Sequence, residues 1–286
     1  MQSDNRLGEF LRARREVARP EDYGLPEPGR RRTPGLRREE VALLAGVSAD
    51  YYVRLEQGRD KHPSEQVTDA LARVFALNEE GAAHLRELVR PVTRRRRPSR
   101  PERVSPALQR LLDTWPHTPA MIVGRCLDVL ANNGLAAAVN HCSVRGQNQL
   151  RVMFLEPESR RIYADWPSVA ADTVASLRAS AGTDLDDPRL TELVGELTLK
   201  SEEFRRLWAR HDVRAKTAGS KRFVHPMVGE LTLSFETFKV NGAAGQTLLV
   251  YHAEPGSPSA RALALLGSMT ADPQHEDAGQ RERLPR

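Results

Sequence analysis

Over the first ninety positions the apolar residues recur at helical spacing. Leu7, Phe10 and Leu11 place one apolar stripe on a first helix. The stretch "EDYGLPEPGRRRTPG" (21–35) breaks the pattern with three prolines and three glycines and reads as a loop. Leu36, Val41, Leu44 and Ala45 then resume the period, and Gly46 stops it. Ser48 opens a second short helix, "SADYYVRLEQG", that ends at Gly58. Ser64 opens a third, with Val67, Leu71, Val74 and Phe75 on one face, and "EEGAAHLRELV" forms the last. These patterns predict an all-α unit of short helices.

Beyond about residue 105 the period changes from place to place. "GELTL" occurs at 195–199 and again at 229–233. In the first copy Leu190, Leu193, Val194 and Leu197 follow a helical period. In the second, Leu231, Leu233 and Phe235 alternate with Thr232, Ser234 and Glu236 as in a strand. Strands are expected at "AMIVGR", "LDVLAN", "GELTLSFETFKV" and "TLLVYHAE", and helices at "LAAAVNH", "PSVAADTVASLRASAG", "PRLTELVGEL", "SEEFRRLWARH" and "SPSARALALLGSM". Two strands, a helical block and two or three further strands predict an α+β domain with an antiparallel sheet backed by helices.

Length and charge divide the chain the same way. Its 286 residues suffice for two domains. Residues 1–104 hold 22 Lys or Arg against 17 Asp or Glu, whereas the remainder holds 21 of each. All but one of those 22 cations are arginine, suited to bidentate phosphate contact. The basic part therefore points to nucleic acid or a membrane surface as its partner. No apolar run approaches the ~20 residues that span a bilayer, the N-terminus lacks a secretory h-region, and the two cysteines, Cys126 and Cys142, make no disulfide framework. A cytoplasmic protein without membrane association is expected. The expected organisation is a DNA-binding domain over 1–90, a basic Pro/Arg linker over 91–106 with four successive arginines at 94–97, a second domain over 107–270, and a disordered tail over 271–286.

The chemistry concentrates in "LRREEVALLAGVSADYYVRLEQG". Two short helices meet at a turn containing Gly46. Val47 precedes the N-cap Ser48, and Tyr52 stands at the fourth helical position, which makes a hydrophobic staple and turns Tyr52 inwards. Tyr51 is thrown outwards with Ala49, Asp50 and Arg54. This is a helix-turn-helix arrangement, whose second helix enters the major groove by its N-terminal end. The runs "REEVA" and "GVS…YY…RLEQG" resemble the XRE (lambda-repressor-like) family. Where that family usually has glutamine, this chain has Arg38. The resemblance implies a buried ion pair between Arg15 and Glu56. Candidate DNA-binding residues are Arg30, Arg31, Arg32, Arg37 and Arg38 for phosphates, Tyr51 beside Arg54 for a further phosphate, and Ser48, Ala49, Asp50 and Arg54 at the reading end. Asp50 either accepts from a cytosine amine or favours its own helix N-terminus.

The second domain lacks the GxSxG, HExxH and phosphate-loop patterns, so no enzyme and no cofactor are expected; adjacent His141 and Cys142 lack the spacing of a metal site. The runs "LDVLANN", "DPRLTELVGELTLKSEEFRRLWARHDV", "KRFVHPMVGELTL" and "AEPGSPSARALALL" resemble MmyB-like regulators of actinobacteria. That resemblance implies a PAS-like domain binding a small apolar, fatty-acid-like ligand. A ligand with an acidic or polar head is expected between the sheet and the 190–211 helices, lined by Trp208 and met at its head by His211 or His225. Those regulators tend to have tryptophan where this chain has Asn132, so the identity of the ligand does not carry over. The expected protein is a transcriptional regulator binding double-stranded DNA as a homodimer. Two rivals remain: a DNA-binding enzyme, and a regulator whose second domain binds a partner protein.

Overall fold

A computed structural model describes residues 5–25, 35–89, 102–140, 143–182 and 187–270. Arg30–Arg32, His141, Cys142, most of the expected linker and the expected tail lie outside the described residues. In chain order the elements are α1 Arg6–Val17, a 3-10 turn Pro20–Tyr23, α2 Arg38–Ala45, α3 Ala49–Glu56, α4 Glu65–Val74, α5 Glu79–Val89, α6 Pro106–Asp113, β1 Ala120–Val123, β2 Val129–Asn132 and α7 Gly134–Val139. They continue with α8 Gln149–Leu155, α9 Ser159–Ile162, α10 Trp166–Ala181, α11 Pro188–Lys200, α12 Glu202–Ala209, β3 Ala218–His225, β4 Gly229–Lys239, β5 Thr247–His252 and α13 Pro258–Thr270. The expected order of helices followed by an α+β domain is borne out.

The residues group into two compact units, one drawn from 1–99 and 174–215 and the other from 100–173 and 216–286, so that the division falls inside α10. In the first unit Leu7, Phe10, Leu11, Leu36, Val41, Tyr52, Leu55, Leu71, Phe75 and Leu85 form one core, joined by Val213. Serines 48 and 64 cap α3 and α4 by accepting the N–H of Tyr51 and Val67. Glycine is required at one crossing: a Cβ on Gly8 would stand 2.2 Å from the Glu56 carbonyl oxygen, so α1 meets the end of α3 backbone to backbone.

In the second unit all five strands pair antiparallel in the order β2-β1-β5-β4-β3. β1, an interior strand between β2 and β5, is buried at every position, which is why it reads as an unbroken apolar run. The two copies of "GELTL" part as their neighbours dictate, one in α11 and one in β4. β3 carries the weakest pattern, because two of its three buried positions are Lys221 and His225, with Phe223 between them. Asn133 stitches the near end of the sheet. Its amide nitrogen donates to the carbonyls of Trp115 and Thr118 at 2.9 and 2.7 Å, and its oxygen accepts from Ala120 N and Ala136 N at 3.1 and 3.0 Å.

All four hydrogen bonds of this buried amide are lost together in Asn133→Ala. Denaturant unfolding is expected to show a loss of about 2–4 kcal/mol, from two carbonyls and two N–H groups stranded away from water. A loss below about 1 kcal/mol would mean that water substitutes for the amide.

Candidate nucleic-acid interface

The turn between α2 and α3 follows from three consecutive residues. Gly46 adopts φ +69°, the left-handed conformation that ends α2, with Val47 N–H donating to Ala42 O at 2.9 Å. Val47 is half-buried against the core, and Ser48 Oγ accepts the Tyr51 N–H at 3.2 Å. Only Val47 separates the end of one helix from the cap of the next, so the angle between them is closely set. Tyr52 is fully buried, whereas Tyr51 is half-buried with the Arg54 guanidinium 5.6 Å from its ring centre. Ser48, Ala49, Asp50 and Arg54 are exposed. Asp50 and Arg54 stand one turn apart, on the same side of α3.

The other end of α3 is fixed by charge. Glu56, 5% exposed, accepts from Arg15 Nε and Nη2 at 2.9 and 3.0 Å and from Arg38 Nε and Nη2 at 3.1 and 2.8 Å. Arg15 ends α1 and Arg38 begins α2, so one carboxylate ties three helices. Arg15 Nη1 also donates to Leu36 O at 3.1 Å, and Leu36 N–H donates to Arg15 O at 3.0 Å. Burial alone would raise the Glu56 pKa, but the arginine hydrogen bonds outweigh it and hold the carboxyl below its ordinary value. The ion pair implied for Arg15 is therefore present, with a third member whose side chain is half-exposed.

Beside this cluster lies an open cleft of about 320 Å³ lined by Arg12, Arg15, Glu16, Arg37, Arg38 and Glu39. Arg37 is exposed, and its N–H donates to Glu40 at 2.7 Å, fixing the first turn of α2. Arg12 had no role assigned from the sequence. Its place in the cleft follows from the docking of Gly35 and Leu36 on the end of α1, which no local pattern encodes.

The three candidate ligand contacts divide between the units. Trp208 and His211 belong to the helical unit and His225 to the sheet unit. Trp208 stacks on Phe204 and lies under the buried Arg178 guanidinium, 3.9 Å from its ring centre, while Arg178 Nη2 donates to Trp208 O at 2.7 Å. Burial lowers the Arg178 pKa to about 10, against the opposing charges of Asp212 and Glu9. His211 adopts φ +52° and meets Phe10 edge-on, and His84 packs on the same Phe10 ring. Arg14, on α1, pairs with Asp212 at 2.5 Å. His225 has both ring nitrogens engaged by backbone: Nε2 donates to Ala138 O at 2.9 Å and Nδ1 accepts from Met227 N–H at 3.3 Å.

Comparison with known families finds two matches. Residues 6–85 match a helix-turn-helix domain model, and residues 104–266 match the model of the MmyB-like transcription regulator ligand binding domain. No curated protein matches the chain.

Burial lowers the His211 pKa from 6.5 to about 3, with Arg178 adding to the effect, and lowers that of His84 to about 4. Both are neutral in the folded chain at neutral pH, whereas the unfolded chain takes up protons at them from about pH 6.5 downwards. Their contribution to stability is thus present above about pH 6.5 and declines as pH falls, towards about 4 for His84 and about 3 for His211. Thermal melts at pH 7.5 and 5 are expected to show a marked drop in melting temperature. The drop should shrink in His211→Asn, which keeps the left-handed backbone but does not titrate.

Proposed function

Because the chain belongs to the MmyB-like transcription regulators, we propose that it is a sequence-specific DNA-binding regulator that reads a two-fold operator as a homodimer under the control of a small apolar, fatty-acid-like ligand. The helix-turn-helix makes it a DNA-binding regulator. The observation that carries sequence reading is α3, whose exposed Ser48, Ala49 and Asp50 stand at its N-terminal end, with exposed Arg54 one turn after Asp50 on the same side, while Glu56 at its C-terminal end is clamped by two arginines. A helix held in this way presents its N-terminal side chains without reorganisation.

The roles divide by reach. Arg54 suits guanine, Ala49 a thymine methyl, and Asp50 a cytosine amine or its own helix terminus. Tyr51 and Arg37 donate to phosphates, as does Arg38 through whichever donors Glu56 leaves it; Arg30, Arg31 and Arg32 add phosphate contacts from the preceding loop. Among the described residues no helix is long and apolar enough to cross a membrane.

An operator selected from random duplexes, then titrated at several salt concentrations, tests this division. Arg54→Ala is expected to cost about 1–3 kcal/mol on the selected operator and to relax preference at a single base pair. Arg37→Ala should weaken binding to every duplex and reduce the salt slope by about one. Tyr51→Phe should weaken all sequences alike without shifting the melting temperature. If Arg54→Ala also weakens every sequence equally, α3 does not read bases.

A further inference from the structure

Beyond Glu56, α1 has a second set of partners. Phe10, 1% exposed, meets His84 of α5 and, edge-on, His211, which follows α12. Arg14 Nη1 donates to Asp212 Oδ1 at 2.5 Å and to the Arg210 carbonyl oxygen at 3.4 Å. Val213 then enters the core that contains Leu7, Leu11 and Tyr52. Four consecutive residues, 210–213, thus form a brace on α1. They come from the span matched by the ligand-binding family model.

The brace has its own supports. His211 adopts φ +52°, a left-handed conformation that a residue with a Cβ keeps only where its surroundings impose it. Its N–H donates to Trp208 O at 3.3 Å, and the same carbonyl accepts from Arg178 Nη2 at 2.7 Å. Arg178 is 2% exposed and covers the Trp208 ring, so the turn after α12 is anchored in the interior. Asp212 is held by Arg210 Nε at 2.9 Å as well as by Arg14, which fixes both carboxylate oxygens.

Successive helical residues turn by about 100°. Arg15 therefore points about 100° from Arg14, and Arg12, which lines the cleft with Arg37 and Arg38, about 160° from it. Brace and cleft lie on nearly opposite sides of α1, so a duplex met through the cleft leaves the brace in place. α1 in turn reaches the end of α3 twice: Arg15 pairs with the Glu56 carboxylate, and Asn5 Nδ2 donates to the Glu56 carbonyl oxygen at 3.0 Å. We propose that Arg14, His211 and Asp212 are positioning residues for DNA reading, which hold α1 where it fixes α3. The proposal rests on the reading of the chain as a sequence-specific DNA-binding regulator. It adds that the ligand-binding sequence supplies part of the reading geometry.

Full-length Arg14→Met, Asp212→Asn and the combined variant, titrated with the selected operator and with a scrambled duplex of equal length, test the brace. The Arg14 and Asp212 side chains are 17% and 34% exposed, so these variants are expected to fold. The readout is the ratio of the two affinities. A smaller folded fraction or an altered net charge acts on both duplexes alike, whereas a displaced α3 weakens the operator alone. The two substitutions change net charge in opposite directions, yet each is expected to lower the ratio about fivefold or more. The combined variant should lower it no further than the worse single variant, since both remove one contact. His211→Val, whose branched side chain resists a positive φ, should lower the ratio as well. An unchanged ratio, operator and scrambled affinities that fall together, or losses that multiply in the combined variant would overturn the positioning role and leave the DNA-binding reading standing. A wild type that binds the two duplexes equally would overturn that reading, and the proposal with it.

Discussion

The Glu56 carboxylate is the constraint on which the DNA-reading geometry depends. It closes α3, accepts four hydrogen bonds from Arg15 and Arg38, and is the point where α1, α2 and α3 meet. A buried carboxylate is costly unless its lone pairs are filled, and here two guanidinium forks fill them. Because a fork is planar, each pairing fixes direction as well as distance. At the other end the short link between Gly46 and Ser48 sets the turn. With both ends fixed, the exposed residues of α3 have little freedom in where they point.

Helix α1 connects this constraint to the rest of its unit. Arg15 faces Glu56, while Arg14 and Phe10 face Asp212 and His211. Those partners lie in residues 174–215, which fall within the span matched by the ligand-binding family model yet pack with the N-terminal helices. The same α1 therefore supports the reading helix on one side and receives a segment of the ligand-binding sequence on the other. Burial keeps His84 and His211, both packed on the Phe10 ring, neutral at neutral pH.

Local chemistry was the legible part of the sequence. Caps at Ser48 and Ser64, the stop at Gly46 and the staple between Val47 and Tyr52 act over a few residues, and the helices appear where these signals put them. What depends on distant partners was not legible. The amphipathic face of "EEFRRLWARH" announces that Phe204 and Leu207 are buried, but not that the segment's neighbours pack on α1. The Arg15–Glu56 pair came from family resemblance, and the joining of Arg38 to it needed the structure. β3 was hard to read because Lys221 and His225 occupy inward positions that a strand usually fills with apolar residues.

The central claim is that Glu56 and Arg15 hold α3 as a coupled pair. A double-mutant cycle by urea unfolding with Arg15→Met, Glu56→Leu and the combined variant measures that coupling. Glu56→Leu is expected to cost about 3–5 kcal/mol, because it strands the buried Arg15; Arg15→Met, which leaves Glu56 paired with Arg38, should cost less, and the combined variant should cost clearly less than the sum. Costs that simply add would contradict the account, since they would mean that the two charges support the fold independently.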